Sequence, residues 1–354
     1  MKPNLKRLSA IKQQVPRLQR APQSDDDDIR ITNETLSARR EEVLGSARKY
    51  IYPLRASKHR VVKVSVAIFI AAVVGFFVFC IADLYKFQTT SSFMYGVTEV
   101  VPFPIAFIGP RHVVSYNDYL FELRHYMHYY QMQQQIDFST ASGKKQLADF
   151  KQKSMDRVLQ NAYVQQLASE NGVSVSEQDV DTAVALVRTE NRLGASDQVF
   201  ESTLSNFWGW SVDDFRRELR QELLAQKVVD KLDTATHDRA NKALIQLTQG
   251  ADFAAVAKQV SDDTSTRDSG GDYGLLIDKS NSNIPPQVVA ALFQLQPGQY
   301  SGIINTGYTL EIVKVLEVHG NQVRAAHISF NFQPINGYTD PLQASNKPFT
   351  FIHV

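Results

Sequence analysis

The stretch "VRAAHISF", Val323 to Phe330, alternates like a half-buried strand and sets His327 on one of its faces. Gly320-Asn321 precedes it as a turn signal. Before that stands a second strand-like run at about 308–317, "YTLEIVKVLE". A tight turn across "HGNQ" therefore folds 308–317 directly back onto 323–330 as an antiparallel hairpin.

Upstream of the hairpin the pattern is mixed. Ala240, Ala243, Leu244 and Leu247 recur at helical spacing and stop at Gly250, and a second helix is expected from Asp252 to Val260. The stretch "SDDTSTRDSGGDYG" then reads as a loop, and "PQVVAALFQL" as a short helix. Pro297-Gly298 turns the chain into strands at about 299–304 and 308–317. Residues 234–330 thus predict an α+β domain with a small antiparallel sheet.

Between about 115 and 233 helices dominate. Ser115 is placed to cap a helix running to about Gln135. The series Leu147, Phe150, Ser154, Val158, Ala162, Leu167 marks a long helix that Asn171-Gly172 ends. Ser174 to Glu177 fits a capping box for the next helix, and Ser211 caps one that carries Phe215, Leu219, Leu223, Val228 and Leu232. Residues 85–233 are accordingly read as an all-α module, and 331–354 as a C-terminal tail with an apolar end.

Val64 to Ala82 carries no charged residue, and about 20 such residues suffice to cross a bilayer core as one helix. Arg48, Lys49, Arg55, Lys58, Arg60 and Lys63 lie before the run, while Asp83 and Lys86 follow it. By the positive-inside rule, 61–84 is a single transmembrane helix with residues 1–60 cytoplasmic and 85–354 outside. A cleaved signal is disfavoured, because the run starts well inside the chain and "DLYKF" offers no small-residue cleavage site. Residues 1–60, with the run Asp25 to Asp28, lack a sustained apolar period and read as a disordered tail whose basic end meets lipid headgroups.

Composition narrows the function. Of 354 residues, 38 are basic and 37 acidic, so no net field draws nucleic acid. One cysteine, Cys80, excludes an internal disulfide and a Cys-based zinc site. The common nucleotide-binding, hydrolase and metalloprotease motifs are missing. Ser142 and Lys145 form an SxxK pair without its partner motifs, and His125 and His128 share a helical turn without a third ligand, so no metal or cofactor is expected.

The stretch 250–317 closely resembles the parvulin family of peptidyl-prolyl cis–trans isomerases. The matching residues are Gly250-Ala251-Asp252-Phe253, Ser261 with Asp263, Gly270-Gly271-Asp272-Tyr273-Gly274, Phe293, and Pro297-Gly298-Gln299 with Ser301. The helices before it, ending "SVDDFRRELRQELLAQKVVDKL", are more diffusely similar to the N-terminal chaperone module of SurA and PrsA-type foldases. The resemblance implies unfolded or proline-containing secreted polypeptides as partners. It also implies a polar shell around the proline bond, to which His327 and Asp263 correspond. The family's second histidine is replaced by Thr309, or by Glu311 if the alignment follows "IVKV". Its apolar substrate positions fall on Ile284, Val288 and Phe293, with Val288 where the family often has phenylalanine.

In that family a strand like "VRAAHISF" comes first, whereas here it follows the last strand. The resemblance therefore implies a circularly permuted domain; the alternative is a second, truncated parvulin beginning at Val323. Two functions are carried forward: a membrane-anchored extracytoplasmic isomerase and foldase, and a holdase whose parvulin domain has lost catalysis.

Overall fold

A computed structural model describes residues 32–51, 54–109, 112–190 and 196–353. The Asp25 to Asp28 run and most of the N-terminal tail lie outside them. The chain divides at Phe76–Phe77 into two units. The first holds α1 (Asn33–Ile51) and most of α2 (Leu54–Ile81). Residues 33–51 are thus helical rather than disordered, because good helix formers such as Ala, Arg, Glu and Leu outweigh the lack of an apolar stripe. α2 runs on into one π-helical turn (Ala82–Phe87). Among the described residues, His59–Phe87 is the one segment long and apolar enough to cross a membrane, with mean hydropathy 2.9.

In the second unit, α3 (Ser92–Val100) leads to β1 (Pro104–Ile108), β2 (His112–Ser115) and α4 (Tyr116–Gln134). Then come α5 (Ala141–Asn171), α6 (Glu177–Glu190), α7 (Asp197–Trp208) and α8 (Val212–Leu232). Side chains set most boundaries. Ser115 accepts from Asn117 N, Ser211 and Asp214 form a reciprocal capping box, and Gly172 ends α5 in the left-handed conformation that glycine adopts freely. The α6 box falls on Ser176 and Asp179, two residues later than expected. Val173 packs against Val164, Leu167, Ala168 and Val228, which holds the chain extended for longer.

The second half comprises α9 (Thr234–Thr248), α10 (Phe253–Val260), β3 (Asp272–Ile277), α11 (Pro286–Leu292), β4 (Ile304–Asn305), β5 (Thr309–His319) and β6 (Gln322–Asn331). The four strands pair antiparallel in the order β3-β6-β5-β4. β5 and β6 join at Gly320 (φ +62°) with His319 opposite Gln322, as the turn signal requires. β4 is shorter than expected, and β3 was hidden within an apparent loop by Gly271 and Gly274, both at positive φ.

Alternation of side chains gives this sheet two cores. Leu310, Ile312, Ala326, Ile328 and Phe330 pack on α9 and α10. Val313, Val315, Val323 and Ala325 face Ile284, Val288, Val289 and Leu292 at α11. Where the sheet ends, Gln333 N donates to Asp233 Oδ2 at 2.8 Å and Thr236 Oγ1 donates to Asn331 O, so entry and exit of residues 234–332 are clasped together.

Beyond the clasp, α12 (Asn336–Ser345) returns to the helices, with Ile335, Tyr338 and Leu342 against the α5–α8 cluster. β7 (Phe349–Thr350) then pairs with β1, and Ile352 is buried among Ile105, Leu120 and Tyr163. Ending the chain at Gly320 removes β6 from the middle of the larger sheet. Because each large apolar side chain buried there contributes about 1.5–3 kcal/mol, residues 234–317 are expected to lose amide-exchange protection. Retained protection along β5 in the truncated protein would contradict this.

Candidate active site

The face of β5–β6 that α11 covers changes character within one residue step. Val313 and Ala325 end the apolar layer, and His327, Glu311, Ser329 and Thr309 continue the same face beyond it. Register puts His327 opposite Val313, Ser329 opposite Glu311 and Asn331 opposite Thr309. The polar residues therefore form a patch at the edge of the α11 core.

His327 is the centre of that patch and is 7% exposed. Its Nε2 lies 2.8 Å from Asp263 Oδ2 and 3.0 Å from Thr266 Oγ1, and its Nδ1 lies 3.2 Å from Glu311 Oε2. The Tyr273 ring stacks on the imidazole at 4.3 Å between centroids, with its hydroxyl 3.5 Å from Glu311 Oε2. Thr309 Oγ1 donates to Glu311 Oε1 at 3.1 Å. Burial alone would lower the His327 pKa, but the hydrogen bonds and charges of Glu311 and Asp263 outweigh it and raise the value. Burial likewise pushes Asp263 upward, yet hydrogen bonds from Ser265, Thr266 and His327 hold its carboxyl well below the usual range.

The loop that carries Asp263 is tied to β6 residue by residue. Ser329 N donates to Ser261 Oγ, Asp262 N donates to Ser329 O at 2.8 Å, and Asn331 N donates to Asp262 Oδ2 at 2.9 Å. Asp263 Oδ1 in turn accepts from Ser265 N and Oγ, a local turn that fixes the carboxylate. On the other side of His327, Gly271 (φ +84°) approaches so closely that an added Cβ would stand 2.1 Å from His327 O. Its carbonyl accepts from His327 N at 2.9 Å.

His327 and Asp263, read from sequence as one shell, meet directly. Thr309 reaches the histidine only through Glu311, its alternative in the alignment. Ile284 and Val288 lie in the closed core under α11, where Val288 exposes no surface, because the apolar face of this short helix is used to cover the sheet. Phe293 is half-buried, with Lys279 Nζ 5.4 Å from its ring centre. Sequence reasoning passed over Thr266 and the stacking role of Tyr273. Glu311 did leave a signal, as a lone carboxylate in the apolar run "LEIV". His125 and His128 belong elsewhere: His125 stacks on Trp210 just after α7, and His128 Nε2 lies 3.3 Å from Asn206 O within α7, so both fasten α4 to this region.

Residues 223–317 match the family model of the PPIC-type PPIASE domain, and residues 54–229 that of the SurA-like N-terminal domain. The foldase protein PrsA of Clostridium kluyveri is 34% identical over 90 residues, 25% of this chain and 26% of that protein. The chaperone SurA of Albidiferax ferrireducens is 25% identical over 233 residues, 51% of this chain and 50% of that one. The chain thus matches between a quarter and a half of the length of these relatives. A solved structure of foldase protein PrsA from Streptococcus pneumoniae covers 58% of this chain and 81% of its own at 20% identity, with a TM-score of 0.21.

Replacing Gly271 by alanine should lower stability by about 2–4 kcal/mol, since a side chain both strains the positive φ and strikes the His327 carbonyl. Calorimetric unfolding measures the loss; an unchanged melting temperature would show that β3 does not depend on this approach.

Proposed function

We propose, for a chain that carries a PpiC parvulin-type peptidyl-prolyl isomerase domain behind a SurA-like N-terminal domain, a membrane-anchored foldase that catalyses isomerisation of X-Pro bonds. His327, Asp263 and Thr309 are assigned to its polar shell and Phe293 to its apolar side, with Ile284 and Val288 as the buried packing behind Phe293. The carrying observation is the 2.8 Å contact between His327 and Asp263 on the face that α11 leaves uncovered. Rotation about an X-Pro bond faces a barrier of about 18–20 kcal/mol, and no covalent bond breaks. The enzyme must bind the twisted amide better than either planar form, which requires a rigid polar surface beside apolar cover and no nucleophile.

Two further elements belong to this reading. The parvulin domain is circularly permuted: the family match ends at Glu317, while β6 occupies the middle of the sheet and brings His327 from the C-terminal side. The apolar segment within His59–Phe87 is the anchor, with residues 1–60 cytoplasmic and residues 85–354 extracytoplasmic. Clients are unfolded secreted chains that contain proline.

Residues 85–354 should accelerate cis–trans interconversion in a proline tetrapeptide. His327→Ala and Asp263→Ala should each lower kcat/KM by about a hundredfold. No acceleration by the unsubstituted protein would remove the catalytic reading.

A cleft of about 600 Å³ favours a second reading, a holdase. It opens between α5 and α8 on one wall and residues 307–309 and 331–335 on the other. The carboxamides of Gln160, Asn161 and Gln221 face it over a floor that includes Val164, Val229 and Phe332. Such groups pair with peptide N–H and C=O whatever the side chain. Substituting all three by alanine should weaken suppression of aggregation of a reduced, unfolded client severalfold, while the tetrapeptide reaction is unchanged. Equal suppression by both proteins would exclude the cleft.

A further inference from the structure

We infer that Glu311 is a positioning residue that keeps His327 doubly protonated, an imidazolium clamped between two carboxylates. The inference deepens the isomerase reading of the site and rests on it. Carboxylate oxygens only accept hydrogen bonds, and a ring nitrogen that faces one must carry a proton. Here both nitrogens do: Nε2 faces Asp263 Oδ2 at 2.8 Å and Nδ1 faces Glu311 Oε2 at 3.2 Å. Thr266 does not compete for the donor role, because its proton goes to Asp263 Oδ2 at 2.6 Å and its oxygen is left to accept from Nε2.

Donors also converge on Glu311. Thr309 Oγ1 supplies Oε1, and the Tyr273 hydroxyl stands beside Oε2 together with His327 Nδ1. Glu311 is 5% exposed and His327 7%, so neither charge is relieved by water and each depends on the other. The groups that face the imidazole are Asp263 and Thr266 from the loop after α10, Tyr273 from β3, and Glu311 from β5. α11 contributes only apolar side chains. The upward shift of the His327 pKa agrees with this geometry.

A second histidine could not hold the same state, since two adjacent imidazolium ions repel each other and one gives up its proton. With glutamate the charge of His327 is fixed across the range in which a free histidine titrates, near pH 6.5. Isomerase activity should therefore be flat from about pH 6 to 8.

The test uses the full chain in lipid nanodiscs with ¹⁵N-labelled histidine, and His327→Gln to assign the signal. At pH 7.5 both His327 nitrogens should resonate as protonated. In Glu311→Gln, which keeps the shape and removes the charge, His327 should lose its second proton at a lower pH than in the unsubstituted protein, and kcat/KM should gain an inflection at the same pH. Glu311→Asp should retain part of the protonated signature, and it decides the matter if Glu311→Gln does not fold. A neutral His327 in the unsubstituted protein at pH 7.5 would overturn the inference. So would an unchanged titration in both glutamate variants. If the chain isomerises nothing, the isomerase reading fails, while the nitrogen signals still decide the role of Glu311.

Discussion

The ladder between β5 and β6 is the interaction on which the larger sheet depends. One face of it carries the core beneath α9 and α10, the other the core beneath α11. Its register also sets His327 two positions from Glu311 across the strands. Because a two-residue turn joins the pair, the pairing closes a minimal loop and costs little chain entropy. Everything less local, including the return of Asp263 from 64 residues away, is fastened onto that hairpin.

The position of residues 234–332 gives the proposed permutation a physical reason. α8 delivers the chain into this region and α12 takes it back, and both pack on the same long helix α5. A domain inserted between them must begin and end at one place, and the Asp233–Gln333 bond marks that place. A parvulin that starts at its usual first strand and stops at its last would present its ends differently. Moving the first strand to the end brings both ends to the junction with the helices.

Much of this was legible in the sequence, for identifiable reasons. Polar caps such as Ser115 and Ser211 act within one helical turn, so α4 and α8 were placed correctly. The β5–β6 hairpin was equally local. What escaped notice depended on distant partners. β3 is built on glycines that signal turns, and only its pairing with β6 makes it a strand. Thr309 and Glu311 were alternatives in the alignment; register sets both on the face of His327, and the longer Glu311 side chain is the one that hydrogen-bonds the ring. For Ile284 and Val288 the sequence indicates apolar residues, but whether these face a ligand or a sheet follows from packing alone.

The pairing of β7 with β1 bears on how the protein is made. The small sheet that begins at Pro104 is completed only by Phe349–Thr350, and the core around Ile105 and Tyr163 is closed by Ile352. During synthesis the helices emerge first but must wait for residues 349–352 before their packing is finished. The larger sheet has all its strands by Asn331. The helical core therefore stays open on one side until Ile352 is in place, whereas every strand of the larger sheet precedes Phe332.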